Sequence, residues 1–230
     1  MNTSPSIITF ASPKGGVGKS TSCLAIAGAL ASRGHSVLVL DLDQTNTLIR
    51  WYRQHQPSIA GLTVDAVPEI DLFKTLTALY RERSGYILID LAGALSNVML
   101  QAAAIAHLTI TPAKLSEPDI LEATKLHHQL AKLASVNGRA ITHRVLINEA
   151  AALLPTYQRH ILDQIAASPL QRFDTLMHQR APYAEAFLTG QPAHFADRNR
   201  PPVRKAVEEL DALLEEILGV MTAQHLKAAA

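Results

Sequence analysis

A lone cysteine, Cys23, rules out an intrachain disulfide framework. No apolar run approaches the roughly eighteen residues that a membrane span requires. No basic N-terminal region is followed by an apolar core, so a secretory signal is not expected and the cytoplasm is the expected compartment. Charge of one sign is also missing: 21 Lys and Arg stand against 20 Asp and Glu, a net charge of +1. Composition therefore gives no reason to expect nucleic-acid binding, and any DNA contact must come from a local patch. Internal repeats are absent. The one low-complexity tract is Lys227-Ala228-Ala229-Ala230, so residues 226–230 are expected to be a disordered or appended tail. With 48% apolar residues the chain can bury a full core, and residues 1–230 read as one domain.

What is present is a loop. The apolar run Ile7-Ile8-Thr9-Phe10 leads, three residues on, into Lys14-Gly15-Gly16-Val17-Gly18-Lys19-Ser20-Thr21. Triphosphate oxygens need several backbone N–H donors converging on one point, and glycine lets the chain curl that tightly and come that close. Lys19 would supply positive charge to the β- and γ-phosphates, and the Ser20 hydroxyl is placed to ligate Mg2+. The helix beginning there turns the positive end of its dipole to the anion. The string reads as a phosphate-binding loop for ATP, with Gly15, Gly16, Val17, Gly18, Lys19, Ser20 and Thr21 as nucleotide contacts. It departs from G-x-x-x-x-G-K-[ST] at one slot, where Pro13 stands in place of the first glycine and is followed by the extra lysine, Lys14. A dinucleotide fingerprint fails, because Thr21 occupies the position of its third glycine.

The remaining chain alternates strand and helix signals. Val37-Leu38-Val39-Leu40 suits a strand buried on both faces. It ends in Asp41-Leu42-Asp43, two carboxylates at the edge where open α/β sheets bind ligands. A helix N-cap is the alternative for Asp41. Tyr86-Ile87-Leu88-Ile89-Asp90 is a second buried strand, in the Walker B position, and its Asp90 would hold Mg2+ through water opposite Ser20. Further strands are expected at 62–64, 108–112 and 144–148. The last places Asn148 at the ligand edge, either reading adenine or satisfying its own turn. Helices are expected near 20–32, where Cys23 would pack on the sheet, and at 48–51, 70–80 and 96–106. Another should run from Ser116 to about 135, with Ser116 and Asp119 at capping-box spacing. His127 and His128 are sequence neighbours on that helix and face different directions, which disfavours a metal site. The last helix, after Pro201-Pro202, carries an apolar stripe from Val203 to Leu218 and an acidic polar face of Glu208, Glu209, Asp211, Glu215 and Glu216. Acid there repels anionic lipid. Arg198, Arg200, Arg204 and Lys205 form the basic candidate for DNA, a solvated charged turn being the alternative.

The K-G-G-V-G-K-S-T string resembles the deviant Walker A box of the ParA/MinD family of ATPases. The segment Gln179-Arg180-Ala181-Pro182-Tyr183-Ala184-Glu185-Ala186 is similar to one in small plasmid-partition ATPases and in VirC-type ATPases of conjugative DNA transfer. The resemblance runs from Ile7 to about Gly190. It implies a doubly wound, mostly parallel α/β fold of the P-loop NTPase type, binding ATP and Mg2+. In that family the lysine matching Lys14 crosses a nucleotide-sandwiched homodimer to the partner's phosphates. The first aspartate of the D-x-D, Asp41, lies near the magnesium shell, and the second, Asp43, orients the attacking water. Gln44-Thr45 replaces a frequent Pro-Gln after it. Lys14, Lys19 and Asp43 are thus the catalytic candidates, Ser20, Asp41 and Asp90 the metal candidates, and Asn148 a further nucleotide contact.

The leading reading from the resemblance is a DNA-segregation ATPase for plasmid or chromosome partition. Its ATP dimer would bind DNA without sequence preference, placing it on the nucleoid, and a ParB-like or other adaptor would stimulate slow hydrolysis. The chain starts at its first strand, so the N-terminal DNA-reading domain of longer partition ATPases is not expected. The alternative is a VirC-type accessory ATPase of conjugative DNA transfer. A MinD-like membrane ATPase is disfavoured by the acidic last helix, and a cluster-bearing relative by the single cysteine.

Overall fold

The computed structural model describes residues 4–229, with 225–229 described by backbone alone. In chain order the elements are β1 (Ser6–Phe10), α1 (Lys19–Ser32), β2 (Val37–Asp41), α2 (Thr47–His55), β3 (Leu62–Ala66), α3 (Leu72–Glu82) and β4 (Tyr86–Asp90). There follow α4 (Asn97–Ile105), β5 (Leu108–Ala113), α5 (Glu117–Asn137), β6 (His143–Ile147), α6 (Thr156–Ala166), α7 (Ala181–Thr189) and α8 (Pro201–Ala229). The tail expected at 226–230 falls on the backbone-only end of α8 and on Ala230; its side chains lie outside the described residues.

The strands form one sheet in the order β3-β2-β4-β1-β5-β6, with every pair parallel. Parallel neighbours need crossover helices, and these cover both faces. In β2, Val37 and Val39 pack into the layer made by α1 and α8, whereas Leu38 and Leu40 pack into the layer made by α3 and α4. That is why the strand is apolar at every position instead of every second one. α1 is apolar nearly all round for the same reason, lying between the sheet and α8, and Cys23 is fully buried in it. Burial, with Asp90 and Asp41 nearby, pushes the Cys23 thiol up, so the group packs as a small unreactive side chain. Among the described residues no helix is long and apolar enough to cross a membrane.

The apolar stripe of α8 is core, with Val203, Ala206, Leu210, Leu213, Leu214 and Ile217 all buried. On its polar face, most of the carboxylates are engaged within the chain. Glu209 accepts from the backbone N–H of His178 (3.0 Å), His178 Nδ1 (2.7 Å), Arg180 Nε (3.1 Å) and the Tyr183 hydroxyl (2.7 Å). Glu216 accepts from the N–H groups of Asp174 (2.6 Å) and Thr175 (2.8 Å). Arg33, at the end of α1, reaches Glu215 (2.6 Å) and Asp211 (3.4 Å). The Q-R-x-x-Y-x-E-A segment is thereby an internal clamp: Arg180 and Tyr183 grip Glu209, Glu185 pairs with Arg200 (2.8 Å), and the Ala186 carbonyl accepts Trp51 Nε1 of α2 (2.8 Å). Glu209→Ala would strand Arg180 and the buried Tyr183 hydroxyl, and is expected to lower unfolding stability by about 3 kcal/mol or more in urea titration. An unchanged midpoint would show that the clamp is held elsewhere.

Candidate nucleotide site at the carboxyl edge of the sheet

The central strands deliver the site. In register, Asp90 at the end of β4 pairs with Phe10 on one side and with Asp41 on the other, so the loop leaving β1 starts beside two carboxylates. Residues 11–18 then curl into α1, whose first residue is Lys19. Gly16 (φ 72°) and Gly18 (φ 90°) both take left-handed backbone, and at Gly18 an added Cβ would fall 1.8 Å from Asn148 Nδ2. Glycine at 18 is therefore required twice, by dihedral and by space. Asn148 is buried and donates its amide to the Val17 carbonyl (3.0 Å), which places it as a brace beneath the loop. Ser22 ties its hydroxyl back to the Gly18 carbonyl (2.7 Å). Val17 is buried, Gly15 has open space where a Cβ would stand, and Thr21 lies in the first turn of α1.

Lys19 is buried, with its ammonium 3.4 Å from the Lys14 carbonyl. Burial lowers its pKa, and Asp90 and Asp43 oppose that by drawing it up. The Ser20 hydroxyl donates to Asp90 Oδ2 at 2.6 Å, while Asp90 Oδ1 is buried with no partner. Burial outweighs the Ser20 bond and pushes the Asp90 carboxyl up to about 7. An orphaned carboxylate oxygen beside a serine hydroxyl is the donor pattern that a hydrated divalent cation fits.

Asp41 is placed differently. Oδ1 accepts the Asp43 N–H (3.1 Å), and Oδ2 accepts those of Leu48 (2.9 Å) and Ile49 (3.0 Å). Of its two sequence readings, capping the first turn of α2 is the one this geometry matches, since both oxygens face backbone donors. Asp43 is half-buried and turns the following loop by accepting the Thr45 N–H at 2.8 Å.

Two residues that the sequence did not single out belong here. Asp119, read as half of a capping box, does receive the Ser116 cap of its own N–H (3.4 Å), but its buried carboxylate bonds the Lys14 ammonium and the Lys114 N–H (2.9 Å). Burial would raise its pKa; the bonds from Lys14, Lys114 and Ser116 outweigh that and lower it. Gly93, after β4, comes so close to the loop that a Cβ would lie 3.0 Å from Gly15 Cα and 3.1 Å from Lys19 Nζ. A glycine three residues past a strand-end aspartate was the available signal for the second. For Asp119 there was none, because its partner is 105 positions away.

The basic candidates make no hydrogen bond to the residues of this site among the described residues. Arg200 pairs with Glu185, and Arg204 donates to the carbonyls of Asn199 (3.1 Å) and Arg198 (3.4 Å), while Arg198 and Lys205 are exposed. Half of that cluster is committed to local structure.

A parallel α/β sheet with a K-G-G-V-G-K-S-T loop and an aspartate facing its serine defines a P-loop ATPase of the ParA/MinD type. Within that class the VirC1 protein family matches residues 5–220, and the chain belongs to it. It is similar to Protein virC1 of Rhizobium rhizogenes, with 28% identity covering 93% of this chain and 95% of the relative. Similarity to Protein ParA of Rhizobium radiobacter is 25% identity over 94% and 97%. In fold it resembles a Borrelia burgdorferi protein assigned to plasmid partition and bound to AMPPNP, with TM-score 0.68, 18% identity, and coverage of 92% of this chain and 99% of that one.

Proposed function

We propose that this ATPase serves conjugative DNA transfer as a VirC1-type accessory protein, closing as an ATP-bound homodimer that holds DNA and releases it on hydrolysis. The observation that carries this reading over partition is the VirC1 family match across residues 5–220. Partition is the second reading, favoured by the similarity to a ParA protein.

The backbone of Gly15 to Gly18 would wrap the phosphates, with Lys19 at the β- and γ-positions and Asn148 keeping the loop in shape beneath them. Ser20 and Asp90 would hold Mg2+, which when bound offsets charge developing on the phosphate oxygens. Asp43 stands at the mouth, where a carboxylate can orient water. Lys14 would complete the partner's site. Among the described residues, exposed large apolar side chains favour this edge: Ile70, Leu95, Leu121, Leu153 and Tyr157 follow strand ends on the carboxyl side, whereas Tyr80, Val136 and Leu188 sit near helix C-termini, and that bias supports dimerisation here.

The test is genetic. Deletion of the gene from a donor strain is expected to reduce transfer frequency at least tenfold while plasmid inheritance per generation holds, and a Lys19→Ala copy should not restore it. Normal transfer with rapid plasmid loss would replace this reading by partition.

A further inference from the structure

At the opposite edge of the sheet a groove of about 1050 Å³ opens between the α5–β6 loop, the segment 169–174 beside β6, and the C-terminal half of α8. Three arginines line it: Arg139 from the loop, Arg144 from β6 and Arg172 from the adjoining segment. Strand alternation puts Arg144 on the same face as Leu146, toward the α8 layer. Arg144 is half-buried, and that burial lowers its pKa. Its one hydrogen bond given by the structure is to the neighbouring His143 carbonyl (2.9 Å), and no carboxylate lies within ion-pair distance of it or of Arg139 among the described residues. A desolvated guanidinium without a counter-charge is costly unless an anion arrives.

The acids of the groove do not meet that need. Glu216 faces the N–H groups of Asp174 and Thr175 and the Thr175 hydroxyl. Asp174 is almost fully exposed and 3.8 Å from Arg172. His143, held by burial to about 3, and His127 stacked on it are neutral at physiological pH and add no competing charge. Two features of α8 also point to an occupant. Gly219, the one glycine of the helix, has open space where a Cβ would stand, so packing does not demand it although a mid-helix glycine costs about 1 kcal/mol against alanine. What it provides is width. Gln224 has a buried side-chain oxygen with no partner, at the same wall.

Resting on the DNA-holding reading above, we propose that this arginine groove seats the phosphate backbone of nucleic acid, taking over the role expected of Arg198 to Lys205. Planar guanidinium forks match phosphate oxygens, and contacts of that kind go to the backbone and carry no base readout.

The experiment measures binding of arbitrary-sequence DNA to the full chain loaded with AMPPNP, across a salt series. Arg139→Gln/Arg144→Gln is expected to weaken binding roughly tenfold or more and to reduce the slope of log K against log salt by about 2, with basal ATPase unchanged. Gly219→Glu leaves every arginine in place and improves helix propensity; it should weaken binding comparably without lowering the melting temperature. Unchanged affinity and slope in both variants, or loss confined to Arg198→Gln/Lys205→Gln, would overturn the groove while leaving DNA holding intact. Absence of binding by the unaltered protein would overturn both. Displacement of DNA by polyglutamate at equal charge would reassign the groove to an acidic protein partner and overturn the nucleic-acid proposal.

Discussion

In EDTA and without nucleotide, the Asp90→Asn protein is expected to melt several degrees above the unaltered one at pH 8, to match it near pH 4, and to hydrolyse ATP at under about one hundredth of its rate. The reason lies in one buried carboxylate. Asp90 is fully buried, one oxygen accepts the Ser20 hydroxyl, and the other has no partner. Burial raises its ionisation from 3.8 to about 7 in the folded chain. Between those values the folded state keeps a proton that the unfolded state has lost, so stability falls as pH rises through this window. Above pH 7 the whole cost is present, about 4 kcal/mol at most for three pH units. Below pH 4 both states hold the proton and the difference vanishes. Asparagine is neutral throughout, so it removes the cost and, with it, the charge that would grip the cation. The same strain explains why Mg2+ with nucleotide should stabilise the native protein more at pH 8 than at pH 5. Equal melting of the two proteins at pH 8 would mean that Lys19 already neutralises the ionised Asp90.

Strands β2 and β4 were legible because burial on both faces leaves an unbroken apolar run, in β1 interrupted by Thr9 alone, and the run ends where the carboxyl edge begins. The phosphate loop was legible because its function needs residues contiguous in sequence. Asp41 shows the limit of such reading: a strand-end aspartate is compatible with a metal role or a cap, and only the position of α2 relative to β2 brings the Leu48 and Ile49 N–H groups to it. The partners of the acidic face of α8 were invisible in the sequence because those of Glu209 and Glu216, from Asp174 to Tyr183, arrive from 26 to 42 positions away, and Arg33 from farther still. Periodicity identifies a polar stripe without saying what lies against it. The local partners of Arg200 and Arg204 were likewise not visible in the sequence, and Arg144 looked like an ordinary strand residue although it faces the groove.

Asp119→Asn is expected to tighten ATP-dependent self-association at least tenfold, read by sedimentation with AMPPNP, whereas Lys14→Ala should bind nucleotide normally and hydrolyse it at under about one hundredth of the native rate. In the single chain, the Lys14 ammonium bonds the buried carboxylate of Asp119. On the proposed dimer it must leave that carboxylate to reach phosphates across the interface. A charge-assisted bond of this kind contributes about 1.5–3 kcal/mol net, and a symmetric dimer breaks two of them. Asparagine keeps the oxygen that accepts the Lys114 N–H, so the start of α5 should hold while the attraction for Lys14 falls. The chain would thus resist closing until triphosphate offers Lys14 a stronger anion than Asp119, which makes association depend on the γ-phosphate and not on ADP. Relaxed discrimination, with measurable dimer in ADP, is the distinguishing signature of the Asn protein. Weaker association instead would show that Asp119 aims Lys14 toward the partner and does not hold it back.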